Sequence, residues 1–186
     1  MSAWELLDCD LPTGKRIAVI GGGAVGLETA HFLAAKGTIS PETLHFLFSY
    51  NAEEPERLRE LVTRGTKDIT VFELQKKAGQ GVGKSTKWVL FGDLDKLGVE
   101  VLTEVNISEI RDGVIQYTMD GKDMEREFDT IVYATGTVPN NTLQETLEKQ
   151  NIPWKVIGDA GQPGTMDDAI HAGYLAALEI DAGENS

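Results

Sequence analysis

Cysteine is almost absent from this chain: Cys9 is the only one in 186 residues. A lone thiol cannot close an internal disulfide. Without a C-x-x-C pair there is also no dithiol redox centre and no cysteine set for zinc or an iron–sulfur cluster. Cys9 lies in a polar lead-in and reads as an incidental thiol rather than a nucleophile. Positive charge is scarce as well, with 17 Lys and Arg against 30 Asp and Glu and a formal net charge of −13. That balance argues against a nucleic-acid or anionic-membrane surface, since both need a basic footprint. Long apolar runs are missing. The best candidate, Ile17 to Leu27, is interrupted by glycines and ends at Glu28, well short of the roughly 20 residues of a membrane helix. The first fifteen residues hold Glu5, Asp8 and Asp10 and no basic n-region, so they do not read as a signal peptide. A soluble, cytoplasmic protein is the expectation.

What the chain does have is alternation of strand-like and helix-like segments. Its length allows one large domain, or one domain plus part of another, with a core that needs no disulfides. Arg16 to Ile20 is a β-branched run opening onto Gly21, and Ala24 to Lys36 carries apolar residues at helical spacing up to Gly37. Pro41–Tyr50 and Pro55–Thr63 read as two short helices, the first unusually apolar. Asp68–Glu73 reads as a second buried strand and Ser85–Leu97 as a helix. Val99–Leu102, Val105–Ile110, Val114–Met119 and Met124–Phe128 follow with period two, and Asp112-Gly113 and Asp120-Gly121 mark hairpin turns. Thr130–Ala134 is another buried strand, Asn141–Gln150 a helix, Lys155–Ile157 a last strand and Met166–Ile180 a last helix. The expected fold class is α/β, a Rossmann-like, mainly parallel sheet with an antiparallel β insert. A helical insert is expected at about 38–67, between the first helix and the second strand.

Two glycine-rich stretches compete for the function. The first, Gly21-Gly22-Gly23-Ala24-Val25-Gly26, satisfies G-x-G-x-x-G with a strand before it and a helix at its end. In such a loop Gly21 permits the tight turn, Gly23 lets the backbone approach a pyrophosphate, and Gly26 lets the helix pack on the strand. The first N–H groups of the helix then face the phosphates. The matching acidic residue at the end of the second strand is Glu73, a candidate acceptor for adenosine ribose hydroxyls, with Leu74 beside it. Glu73 lies 52 positions after Gly21, where about 20 is usual, and the helical insert accounts for the excess. A carboxylate there repels a 2′-phosphate, so NADH is expected over NADPH, although Lys76 and Lys77 lie close by.

The second stretch, Ala78 to Thr86, fits a relaxed Walker A pattern ending in Gly83-Lys84-Ser85. A phosphate-binding loop of that kind follows its buried strand directly and needs an acidic magnesium partner at the end of a neighbouring strand. Gln75, Lys76 and Lys77 intervene here, Asp129 precedes its strand, and Asp159 follows one only after Gly158. The alternative is a flexible turn bordering the adenosine end of a dinucleotide. In that reading Ser85 caps the following helix and Lys84 contributes at most an adenosine-side charge. A nucleoside-triphosphatase and a non-catalytic nucleotide-binding module remain as rivals.

Taken in order, "GKRIAVIGGGAVGLETAHFLAAKG", "ITVFE", "GKSTKWV", "DTIVYATGTVPNN" and "VIGDAGQPGTMDDAIHAGYLAALEI" resemble the C-terminal portion of the NADH:flavin oxidoreductase family. That family includes 2,4-dienoyl-CoA reductase and 2-enoate reductase, and its nucleotide-binding part has a pyridine nucleotide-disulfide oxidoreductase type fold. The resemblance runs from Gly14 to Ile180. It implies a lead-in at 1–14, an NAD(P)-binding domain at 15–139 with the helical insert at about 38–67, and the returning piece of an FAD domain at 140–186, with the first FAD half, the FMN barrel and the cluster cysteines absent. A fragment or isolated domain is therefore expected, with FAD belonging to the parent enzyme and with flavin-bearing domains as partners. By resemblance Glu28 lies near the nicotinamide, Thr135 and Gly136 close the NAD domain, and Asp159 reaches toward FAD. His171 on the last helix is expected to be satisfied or solvent-exposed. No side chain is needed as nucleophile or general acid, because the cofactors carry the chemistry.

Overall fold

The computed structural model describes residues 1–184, so the last two residues of the 140–186 segment lie outside the described residues. The chain divides into two compact units, Met1–Thr135 and Gly136–Ser186.

The first unit begins with a helix where the sequence reads as a polar lead-in. Helix α1 (Ala3–Cys9) is held by a capping box in which Ser2 Oγ accepts the Glu5 N–H at 3.2 Å and Glu5 accepts the Ser2 N–H at 2.9 Å. Ala3 and Leu6 are fully buried, and Ser2 bridges to Tyr133. Seven residues are too few for an apolar period to stand out, so this helix owes its place to burial against the unit rather than to propensity.

Next come β1 (Arg16–Ile20), α2 (Ala24–Ala35), α3 (Pro41–Ser49), α4 (Pro55–Thr63) and β2 (Asp68–Phe72). Helix α5 (Lys87–Lys96) leads to β3 (Glu100–Leu102), then β4 (Asn106–Arg111), β5 (Val114–Met119), β6 (Lys122–Glu127) and β7 (Thr130–Tyr133). The main sheet has the order β3-β2-β1-β7 and every pair in it is parallel. Strand β3 thus belongs to the parallel sheet, and the antiparallel sheet is β4-β5-β6. Its turns place Asp112, Gly113, Asp120 and Gly121 at positive φ, the two-residue hairpin geometry that Asp-Gly favours.

Period two sorts the strand residues onto two faces. Ile17, Val19, Ile69, Val71 and Val132 pack with Leu6, Leu27, Leu33 and Leu94 against the helices. On the other face Ala18 and Phe72 pack with Ile115, Tyr117 and Phe128, closing the antiparallel sheet over the parallel one. Phe72 meets Tyr117 and Phe128 edge-on, with ring centroids 5.1 and 5.7 Å away, an arrangement aromatic quadrupoles prefer.

A polar anchor fixes the start of β1. Asp129 Oδ2 accepts the N–H groups of Lys15 and Arg16 at 3.1 and 2.8 Å, and its Oδ1 takes Arg16 Nη2 at 2.6 Å. The Arg16 guanidinium and these backbone bonds hold the Asp129 carboxyl down at about 2. The helical insert closes at its base, where the Thr66 N–H donates to the Lys36 carbonyl at 2.8 Å. Its length therefore adds residues without disturbing the pairing of β1 with β2. Leu58 of α4 is buried, whereas α3 buries nothing and leaves Phe46, Phe48 and Tyr50 exposed.

The second unit contains α6 (Gln144–Lys149), a 3-10 turn at Gly158–Ala160 and α7 (Met166–Glu184). The strand expected at Lys155–Ile157 is not formed. Ile157 has extended backbone, but among the described residues this unit offers no second strand to pair with. Thr165 and Asp168 cap α7 reciprocally, Asp168 accepting the Thr165 N–H at 2.8 Å. The Thr165 hydroxyl and N–H keep the Asp168 carboxyl below its ordinary value. Met166, Ile170, Tyr174 and Leu178 recur every four residues on α7 and are all exposed, an apolar stripe left uncovered among the described residues of this unit.

Candidate functional site

The site is built where β1 and β2 end. The N–H of Gly21 donates to the Phe72 carbonyl at 2.8 Å, binding the start of the glycine loop to the end of β2. Gly21 sits at φ +106°, with the Ala134 carbonyl where a side chain would go. A methyl group on Gly26 would overlap the Gly21 carbonyl oxygen, so α2 approaches the loop as closely as backbone allows. These two glycines are demanded by the fold itself.

Gly23 is different. It is the N-cap of α2 in ordinary extended backbone, and the nearest atom to a Cβ placed there is the Gln80 carbonyl oxygen at 3.6 Å. Packing leaves room for a side chain, yet none is present. A missing side chain with space to spare at a helix N-terminus keeps a side chain out of the approach that a pyrophosphate requires. The site residues therefore fit a dinucleotide.

Glu73 stands just past β2 and reaches into the loop. Its Oε2 accepts the Gly22 N–H at 2.8 Å, and its Oε1 accepts the Gln75 N–H at 2.7 Å. Each carboxylate oxygen has a second lone pair, so both can still accept from hydroxyl groups. Leu74 is 63% exposed beside it, and Lys76, Lys77 and Lys84 are exposed.

The stretch after Glu73 is not a free turn. Ala78 and Gly79 are buried, the Gly79 N–H donates to the Gly22 carbonyl at 2.6 Å, and the Gln80 carbonyl accepts the Ala24 N–H at 3.0 Å. Lys87 Nζ donates to the carbonyls of Ala78 and Gly79 at 2.8 and 3.1 Å. The loop is thus a strap laid across the first glycine loop, and it occupies one of the donors expected to face phosphate. The spacing of Gly79 and Gly81 was the only trace of this contact in the sequence.

The Walker-type reading loses its geometry here. Helix α5 starts at Lys87 with Thr86 as N-cap, and no side chain caps it. Ser85 is therefore not the cap. Lys84 and Ser85 precede the helix instead of opening it, and Lys84 is solvent-exposed, so neither is placed as a phosphate loop requires.

The remaining candidates are dispersed. Val25 is half-buried in the first turn of α2, and Glu28 is exposed one turn further on. Thr135 ends the first unit, exposed after β7, and Gly136 follows at φ +101°. Asp159, in the second unit, is exposed and accepts the Gly164 N–H at 3.2 Å. His171 and Cys9 are both exposed. Among the described residues no cluster of His, Cys, Asp and Glu could hold a metal ion, and no helix is long and apolar enough to cross a membrane.

A parallel sheet with a glycine loop at the end of β1 and an acid at the end of β2 defines a Rossmann-like nucleotide-binding module. The chain belongs to the pyridine nucleotide-disulphide oxidoreductase family, whose profile matches residues 2–162. That family uses FAD and NAD(P) as redox cofactors. A metal reductase from Desulforamulus reducens is 37% identical over 96% of this chain and 27% of its own length. An NADH oxidase from Thermoanaerobacter brockii is 29% identical over 96% of this chain and 24% of its own length. Histamine dehydrogenase from Rhizobium sp. 4-9 shares the fold, with a TM-score of 0.72 at 17% identity over 97% of this chain and 26% of that one. The chain spans about a quarter of the length of these relatives.

Proposed function

We propose that this chain is the NADH-binding module of a flavin-dependent oxidoreductase. It orients NADH for hydride transfer to a flavin carried elsewhere in the parent enzyme. The observation that carries this reading is the pairing of an unfilled Gly23 with a Glu73 carboxylate bonded to Gly22. Together they form a phosphate approach and a ribose acceptor on one loop. In this reading the domain extends over 15–139, with Gly21 to Gly26 receiving the pyrophosphate and Val25 supplying a first-turn N–H. Glu73 accepts the adenosine ribose hydroxyls through its remaining lone pairs, Leu74 flanks the adenosine end, and Lys84 adds a nearby charge.

When bound, the nicotinamide supplies the hydride, and this chain supplies orientation and electrostatics. Glu28 and the Thr135-Gly136 turn serve the nicotinamide half. Segment 140–186, with Asp159, is the returning part of an FAD domain. The uncovered stripe Met166, Ile170, Tyr174 and Leu178 supports that assignment, because a half-domain leaves apolar surface for its other half. The parent's substrate is proposed to be an activated C=C bond, as in an enoate or dienoyl-CoA. The relatives named a metal reductase and an NADH oxidase make metal ions and dioxygen the alternatives to test.

Titration of the purified chain with NADH, NADPH, FAD and Mg-ATP tests the reading, with nicotinamide fluorescence and thermal shift as signals. Saturable NADH binding, weaker NADPH binding and no ATP response are expected. ATP binding without an NADH response would refute it.

A further inference from the structure

We propose that the Gln80–Gly81 peptide is a switch: its carbonyl closes the glycine loop, and the peptide flips when a dinucleotide enters. The proposal rests on the dinucleotide reading above and names a control device at that same site.

The strap has a fixed half and a free half. Ala78 and Gly79 are buried, Lys87 holds both of their carbonyls, and the Gly79 N–H is bonded to Gly22. A methyl group on Gly79 would meet Lys87 Cε at 2.7 Å and Phe91 at 3.0 Å, so this half is packed tight. Beyond it, Gln80 and Gly81 are exposed. Their shared peptide nevertheless points its carbonyl oxygen at the Ala24 N–H, 3.0 Å away. Ala24 is the first residue of α2, so this oxygen occupies a donor that an incoming phosphate oxygen would otherwise use. The phosphate oxygen is anionic and the carbonyl oxygen carries a partial negative charge, so the two repel each other at that single N–H.

A peptide flip resolves the conflict at small cost. It changes ψ of Gln80 and φ of Gly81 together and leaves the flanking Cα positions nearly in place. The carbonyl turns away, and the Gly81 N–H turns toward the α2 N-terminus. An acceptor aimed at the site is replaced by a donor. The identity of residue 81 supports this. Gly81 stands at φ +83°, in the left-handed region that favours glycine. Packing does not require glycine there, because a methyl group would meet only Ala24 Cβ at an ordinary 3.7 Å. Only the backbone of the closed state demands it. After the flip, φ of residue 81 is negative and any residue is comfortable.

Gly81→Ala therefore burdens the closed state alone. NADH titrations of the unaltered chain, Gly81→Ala and Gly83→Ala, read by fluorescence and calorimetry, test the switch. Gly81→Ala is expected to unfold at a lower temperature without ligand and to bind NADH about fivefold more tightly or better. Gly83 has ordinary backbone and only a 3.4 Å contact with Thr86 Oγ1 for an added methyl. Gly83→Ala is expected to leave affinity unchanged, and tightening in both variants would refute a flip in favour of general loop stiffening. In the unaltered chain, hydrogen exchange of the Gly81 amide should slow on NADH binding. NADH binding with unchanged Gly81 exchange, or with no gain from Gly81→Ala, overturns the switch and spares the dinucleotide reading. No NADH binding by the unaltered chain overturns both.

Discussion

Removing the Glu73 carboxylate tests how much of the site is structural before any ligand arrives. In Glu73→Ala the Gly22 N–H loses its 2.8 Å acceptor and the Gln75 N–H its 2.7 Å acceptor. The two losses are unequal. Gln75 is exposed and water replaces the acceptor, whereas Gly22 is buried. Its donor would be left unsatisfied beneath the strap, which costs about 1–3 kcal/mol. A net loss of about 2 kcal/mol follows, and for a chain of this length each kcal/mol lowers the melting temperature by about 2–4 °C. Thermal unfolding followed by circular dichroism should therefore show Glu73→Ala melting about 4–8 °C lower. Glu73→Gln keeps one oxygen for Gly22 and turns its amide toward exposed Gln75, so it should lose less than half as much. An unaltered melting temperature in Glu73→Ala would show that the Gly22 bond does not hold the loop. In the proposed function the same variant should weaken NADH by tenfold or more, and full affinity in a folded Glu73→Ala would remove Glu73 from the ribose site.

Other perturbations separate the fold from the site. Gly26→Ala places a methyl on the Gly21 carbonyl oxygen, so α2 must move off the loop; urea unfolding should show a loss of about 2 kcal/mol or more, and an unchanged midpoint would contradict the close approach. Leu6 is fully buried in the main core, so Leu6→Ala should cost about 2–5 kcal/mol. A near-neutral result would return residues 1–14 to the status of a lead-in. Asp129 has a folded-state value of about 2, below its ordinary 3.8. Its contribution is therefore complete above pH ~4 and lost as pH falls through about 2. The melting temperature of the unaltered chain should decline more steeply below pH 4 than that of Asp129→Asn, and parallel curves would show that Asp129 does not drive the decline.

The parts of this fold that were legible in the sequence are those whose causes are local. The run Arg16–Ile20, the turn at Gly21 and the helix from Ala24 each follow from residues within a few positions of one another. The hairpins at Asp112-Gly113 and Asp120-Gly121 do too, because positive φ at consecutive positions selects that dipeptide. Glu73 could be paired with the glycine loop across 52 positions because the insert returns to its starting point at Lys36 and Thr66. Other features have causes that local pattern does not carry. Helix α1 is stabilised by what covers Leu6. Lys155–Ile157 has strand-like chemistry without a partner to complete it. The bonds from Gly22 and Ala24 to Gly79 and Gln80 join segments more than 50 residues apart and involve only backbone, which leaves no side-chain signature.

The same reasoning explains why a phosphate-loop pattern can occur in a chain whose fold uses it differently. Such a pattern records where glycines and a lysine fall, and glycines answer to backbone demands that many loops share. In this chain Gly79 and Gly81 are set by positive φ, and Ala78 is small because it enters the core beside Gly22. The lysine that holds the loop is Lys87, three residues beyond the one the pattern selects, and it grips carbonyl oxygens of its own chain. Lys84 is left in solvent. What separates the two readings is therefore the position of the lysine relative to the helix start. A cation that opens a helix and faces an empty cradle can meet phosphate. Lys87, whose donors go to Ala78 and Gly79, instead braces the wall of a neighbouring cradle, and here that neighbour is the loop from Gly21 to Gly26.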